Sequence, residues 1–123
     1  MNNSNKVLVV DDDALVLKTL AVVLKRQGYD YRLADSAQSA IQFASEIEFD
    51  VVLADIRMPV MNGVDAIRKI QEDRKSAGKK ELPIIFITGY SDDSIHLKAE
   101  ALGEVIQKPF DLDRLMITMR EYL

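Results

Sequence analysis

The sequence predicts an α/β fold: five strand–helix units, (βα)5, wound on both faces of a parallel sheet. Short apolar runs alternate with stretches whose apolar residues recur at helical spacing. Three of the runs, ending at Val10, Ala54 and Ile87, are uniformly apolar, as strands covered on both faces are. The strand-like runs end in carboxylates, a hydroxyl or an ammonium, the groups that open α/β sheets present at their ligand-binding edge.

Each element has a local cause. Val7-Leu-Val-Val10 is the first strand. Ala14 to Gln27 follows as a helix, with Leu17, Leu20, Ala21 and Leu24 on one face, and Gly28 stops it. Tyr29 to Ala34 alternates: Tyr29, Tyr31 and Leu33 on one side, Asp30 and Arg32 on the other. That alternation fits a half-exposed edge strand. Ser36 caps a second helix whose stripe is Ala37, Ala40, Ile41 and Ala44. The apolar run from Val51 to Asp55 is the third strand. A third helix follows Asn62-Gly63 and turns Val64, Ile67 and Ile70 inward. Pro83 opens the fourth strand. Ser91 starts a fourth helix carrying Ile95, Ala99 and Leu102. Glu104 to Gln107 is the short fifth strand. Asp111 caps the last helix, with Leu112, Leu115, Met116 and Met119 as its stripe.

Crossover connections make the sheet parallel and right-handed. The uniformly apolar strands belong in the middle and the alternating second strand at an edge. Strand order 2-1-3-4-5 satisfies both. Its switch point lies between strands one and three, beside Asp11, Asp12 and Asp55.

Bulk properties exclude several function classes. A chain of 123 residues makes one domain, burying roughly two-thirds of its unfolded surface. We therefore expect a single domain over 1–123, with about residues 1–5 as a flexible tail. Net charge is −4, from 20 acidic and 16 basic residues, which argues against a nucleic-acid surface. The basic cluster Arg74-Lys75 and Lys79-Lys80 reads as a solvated loop. Without cysteine there are neither disulfides nor thiolate metal sites. Residues 1–5 are polar and lack the apolar core of a signal peptide. No apolar run approaches the ~18 residues of a membrane span. The expected setting is the cytoplasm.

Taken singly, the candidate site residues have ordinary readings. Asp12 and Asp13 suit a helix N-terminus, Thr88 suits a strand, and Lys108 suits any solvated surface. Their joint position at the ends of strands one, three, four and five is what points to chemistry. Two carboxylates about 5 Å apart repel by roughly 3 kcal/mol at an effective dielectric of 20. A divalent cation reverses the sign of that interaction. Oxygen-only donors and few protein groups suit Mg²⁺, which shares its coordination shell with phosphate. Asp55 is a candidate ligand, base or nucleophile; as a nucleophile it accepts a phosphoryl group as an acyl phosphate.

Four segments carry a family resemblance: Val9-Val10-Asp11-Asp12-Asp13, Asp55-Ile-Arg-Met-Pro59 with Asn62-Gly63, Ile87-Thr88-Gly89, and Gln107-Lys108-Pro109-Phe110. With them the chain resembles the receiver domains of two-component response regulators, a flavodoxin-like fold, from about Lys6 to Leu123. The resemblance implies that Asp55 accepts a phosphoryl group from the phosphohistidine of a sensor histidine kinase or a phosphotransfer protein, and that the chain is a phosphorelay signalling switch. It implies Mg²⁺ held by Asp11, Asp12 and Asp55 with the backbone carbonyl of Arg57. It further implies that Thr88 and Lys108 bind phosphoryl oxygens, and that the Lys108-Pro109 bond is cis. The expected catalysis is confined to the domain's own phosphorylation and dephosphorylation, so the chain is not an enzyme acting on other substrates. A homodimer through the fourth helix, fifth strand and fifth helix is the self-association the resemblance implies. Neither direct nucleic-acid binding nor membrane association is expected.

Three positions depart from the family pattern. Gly89 follows Thr88 where many relatives carry Ala, which predicts a looser loop. The stretch Ala101 to Lys108 is about two residues short. Val105 stands where relatives often carry a Tyr or Phe that swings on activation, so we expect Tyr90 to carry part of that switch. His96 is expected on the exposed side of the fourth helix. Two rival readings remain: an aspartate-type phosphatase, whose Asp-x-Asp motif Ile56-Arg57 does not supply, and an interaction module with a dead pocket.

Overall fold

The computed structural model describes residues 5–56, 62–89, 93–108 and 111–123. Within them strands and helices alternate: β1 (Lys6–Val10), α1 (Ala14–Arg26), β2 (Asp30–Ala34), α2 (Ala37–Glu46), β3 (Val51–Asp55), α3 (Gly63–Ser76), β4 (Ile84–Thr88), α4 (Asp93–Leu102), β5 (Glu104–Gln107) and α5 (Leu112–Arg120). All four strand pairings are parallel, in the order β2-β1-β3-β4-β5. The predicted order and element types are those found.

Strand alternation divides the interior into two cores. Val7, Val9, Val51, Leu53, Ile85 and Ile87 pack with Leu17, Leu20 and Leu24 of α1 and with Leu115, Met116 and Met119 of α5. Leu8, Val10, Val52, Ala54, Ile84 and Phe86 face the other way, against α2, α3 and Ala99 of α4. The small stripe Ala37, Ala40 and Ala44 lets α2 lie close to the sheet. β3 and β4 are buried along their whole length, whereas β2 is half-exposed at the sheet edge. Burial of a side chain such as Phe86 or Leu53 contributes about 1.5–3 kcal/mol. This double burial holds the strand ends rigidly enough to present a site.

The end of α1 and the starts of α2 and α5 follow the expected caps, while Ser91 lies outside the described residues. Gly28 has φ +83°, beyond the C-terminus of α1. There Tyr29 N–H donates to Leu24 O and Gly28 N–H to Lys25 O, both 3.1 Å, closing the helix as a Schellman motif. Ser36 and Ser39 cap α2 reciprocally. Asp111 accepts the Asp113 N–H at 2.8 Å and starts α5.

The basic cluster is the expected solvated surface at Lys75, Lys79 and Lys80, which are exposed, but not at Arg74. Arg74 lies inside α3 and is buried. Its Nε donates to Lys80 O at 2.8 Å. Its Nη1 makes a charge contact of 2.7 Å with Glu48 Oε1, and Lys79 Nζ lies 3.4 Å from Glu48 Oε2. The Nη1 contact is short, but it is not aligned as a hydrogen bond. Arg74 lines a cavity with Ile41 and Ala44 of α2 and Ile70 of α3, so its position on the helix outweighs the polarity of its neighbours.

Two further contacts fix the way into β4 and β5. Gln71 donates to Leu82 O at 2.9 Å and accepts Leu82 N–H at 3.0 Å. That pair satisfies a buried backbone unit just before β4. Gly103 alone joins α4 to β5 and donates to Ala99 O at 3.0 Å. A Cβ on Gly103 would overlap the carbonyl oxygen of Ile84.

Candidate functional site

β1, β3, β4 and β5 deliver their C-terminal residues to one edge. Val10 pairs with Ala54, so Asp11 and Asp55 are the next residues along adjacent strands. Asp55 is level with Ile87, and Thr88 is level with Gln107. Asp11, Asp55, Thr88 and Lys108 therefore sit within a residue or so of one another across the sheet. Lys108 N–H donates to Thr88 O at 2.7 Å and ties the last two strand ends together.

The three predicted metal carboxylates converge. Asp11, Asp12 and Asp55 each offer an oxygen, and these oxygens lie within 4.8 Å of one another. Asp11 and Asp55 are buried, while Asp12 is exposed. At that distance each pair repels by at least about 3.5 kcal/mol at an effective dielectric of 20, less where Asp12 meets solvent. Lys108 Nζ lies 3.6 Å from Asp11 Oδ2 and 3.9 Å from Asp55 Oδ1. Three carboxylates and one ammonium leave two negative charges, which one divalent cation balances. The donors are all oxygen, the preference of a hard cation.

Asp11 is held on both sides. Its backbone N–H donates to Ala34 O at 3.0 Å, which extends the β1–β2 ladder. Its Oδ1 accepts the Asp13 N–H at 2.9 Å. Burial pushes the Asp11 carboxyl above its ordinary value, and the Asp12 charge adds to that push. The Asp13 N–H and Lys108 act in the opposite direction.

The start of α3 packs directly on the acceptor strand. Asn62 caps α3 by accepting the Asp65 N–H at 2.9 Å. Gly63 N–H donates to Ile56 O at 2.6 Å. A Cβ on Gly63 would collide with the carbonyl oxygen of Asp55. Glycine is needed here for close approach rather than for an unusual backbone angle. The signal in the sequence was a glycine directly after a capping Asn, with no means of telling which strand it would touch.

Gly89 is not required by space. A Cβ there meets Lys108 Cβ at an ordinary 3.8 Å, so alanine fits the folded geometry. Val105 is half-buried, pairs with Phe86 and packs on the α2–α4 side of the sheet. Thr88 is fully buried, with the same strand parity as Phe86. Arg57, Tyr90 and Pro109 lie outside the described residues, as does the His96 side chain. The contacts of Arg74 and Gln71 were missed in the sequence, because their partners come from distant loops.

Residues 7–120 match the family model of the response regulator receiver domain. The chain is 31% identical to the regulatory protein AtoC of Escherichia coli K12, over 100% of this chain and 26% of AtoC. It is 37% identical to the transcriptional regulatory protein ZraR of Klebsiella oxytoca, over 95% of this chain and 26% of ZraR. It thus spans about a quarter of these relatives. A response regulator receiver protein from Pseudomonas putida is 30% identical, with a TM-score of 0.86 and coverage of 98% of this chain and 99% of that one. The chain belongs to the response regulator receiver domain family, whose members work in two-component phosphorelay signalling.

Proposed function

We propose that Asp55 is the phosphoacceptor, taking its phosphoryl group from the phosphohistidine of a sensor kinase or phosphotransfer protein. The observation that carries this reading is the cluster itself. A buried carboxylate on a central strand faces a lysine and two further carboxylates at the C-terminal edge of the sheet. In the transfer an Asp55 carboxylate oxygen forms a bond to phosphorus as the P–N bond to imidazole breaks. The imidazole leaves with that electron pair and takes up a proton. Lys108, 3.9 Å from Asp55 Oδ1, moves its charge from the unphosphorylated carboxylate to the phosphoryl oxygens. Thr88 offers a hydroxyl from the adjacent strand end.

The donor set fits Mg²⁺, held by Asp11, Asp12 and Asp55 with the Arg57 carbonyl in the family's manner. When bound, Mg²⁺ offsets the negative charge of the phosphoryl oxygens against the carboxylates. The chain turns over no separate substrate; Ile56-Arg57 after Asp55 lacks the second Asp of an aspartate phosphatase. Leu97 of α4 and Ile117 of α5 are exposed apolar side chains that suit a homodimer through α4, β5 and α5. The net charge of −4 disfavours direct nucleic-acid binding by this domain. Among the described residues no helix is long and apolar enough to cross a membrane, and the cytoplasm is the setting proposed.

Intact-mass spectrometry with a small acyl phosphate tests the assignment. Wild type gains one phosphoryl mass in Mg²⁺ and none in chelator, and Asp55→Asn gains none. Equal labelling of Asp55→Asn would overturn it.

A further inference from the structure

We infer that Asp13 is a positioning residue for the metal-binding carboxylate of Asp11, acting through its own backbone N–H. This inference rests on the metal-dependent reading above. The two oxygens of Asp11 have different partners: Oδ1 accepts the Asp13 N–H at 2.9 Å, and Oδ2 faces Lys108 Nζ at 3.6 Å. The sheet fixes the Asp11 backbone, because its N–H donates to Ala34 O. It does not fix the side-chain torsion; the Asp13 N–H does that.

The direction of this N–H is in turn set by the start of α1. Asp13 is the N-cap, with φ −88° and ψ 111°. Its Oδ1 accepts the Leu15 N–H at 2.9 Å, and its carbonyl accepts the Leu17 N–H at 3.1 Å. One residue therefore closes the helix with its side chain and clamps Asp11 with its amide. Asp12 lies between two pinned residues and shares their placement. Without the cap the first turn frays, the Asp13 amide swings, and Asp11 Oδ1 loses its donor. The carboxylate then rotates about χ1 and the three oxygens no longer converge.

Asp13 is exposed, so its own charge is screened and contributes little at the site. Cap and charge separate by substitution. Asn and Ser cap a helix about as well as Asp without carrying its charge, whereas Ala does neither.

The test uses the 123-residue chain and MgCl2 alone. Backbone amide shifts are followed through a titration, and amide exchange at Asp13 and Leu15 is measured in chelator. Asp13→Asn and Asp13→Ser should bind Mg²⁺ within about threefold of wild type, and Asp13→Ala about tenfold more weakly, as loss of an outer-shell partner does. In chelator, exchange at Asp13 should quicken in the Ala variant and not in the Asn variant. A general loss of stability alone would lower the melting point of Asp13→Ala and leave its Mg²⁺ affinity at the wild-type value. That result overturns the inference, as does an Asn variant as weak as Ala, which would mean that charge is what matters. If wild type shows no saturable Mg²⁺ response, the metal reading fails. Exchange at Asp13 then decides the clamp by itself: unchanged in Ala overturns it, and quickened in Ala alone upholds it.

Discussion

Asp12→Asn should make the metal-free protein more stable while removing its response to Mg²⁺. The Asp12 carboxylate lies within 4.8 Å of both Asp11 and Asp55, so the substitution removes two repulsions. Each is about 3.5 kcal/mol at a dielectric of 20 and about 0.9 kcal/mol in bulk water. Asp12 is exposed, so the lower limit is nearer. Some attraction to Lys108 is lost with it, which leaves a net gain of about 1 kcal/mol. For a domain of this size that raises the midpoint by about 3–5 °C. Wild type at tenfold saturation with Mg²⁺ gains about 1.4 kcal/mol, and the variant should gain much less. The assay is a set of circular-dichroism melts in chelator and in Mg²⁺, each at low salt and near 1 M salt. The Debye length falls to about 3 Å at 1 M, so the metal-free advantage should shrink there. A lower midpoint for Asp12→Asn in chelator would refute the reasoning, because Asp12 would then be a structural partner. An undiminished Mg²⁺ gain would refute its role as a ligand.

Gly63→Ala should cost about 1–3 kcal/mol in urea unfolding, since its methyl drives α3 off the Asp55 carbonyl; a wild-type midpoint would mean that the contact relaxes freely. Gln71→Leu should cost about 2–4 kcal/mol by stranding the buried Leu82 N–H and C=O, and amide exchange at Leu82 should quicken. The Arg74 guanidinium, aided by Lys79, holds the Glu48 carboxyl below its ordinary value of 4.5. A depressed folded value contributes stability that is present above the unfolded pKa and lost as pH falls through the folded one. Wild type should therefore lose stability more steeply than Glu48→Gln on acidification below about pH 4.5, and parallel curves would exclude the pair as a contributor.

Periodicity carried most of the fold into view. The i, i+3, i+4, i+7 stripe of α1 and the alternation of β2 each had one structural solution, and the caps Ser36 and Asp111 marked the starts of α2 and α5. The site was legible because strand ends in a parallel sheet share an edge, so Asp11, Asp55, Thr88 and Lys108 had to meet. Arg74 was misread because a local basic composition says nothing about which face of a helix a residue occupies. Gln71 was invisible for a related reason: its partner lies 11 residues away, across the turn into β4. The roles of Gly63 and Gly103 depend on tertiary approach, which no local rule encodes.

Gly103 has a mechanical consequence. A single residue spans at most about 3.6 Å, and this one cannot take a side chain without striking the Ile84 backbone. The joint between α4 and β5 therefore has no slack. Pulling on the helix loads the strand at once, and the strand is stitched to β4 from Glu104 to Gln107. The two elements act as one stiff lever rather than as two parts with a loose coupling. A linker, tag or permutation break placed at this joint would uncouple that lever, so splices belong elsewhere on the surface.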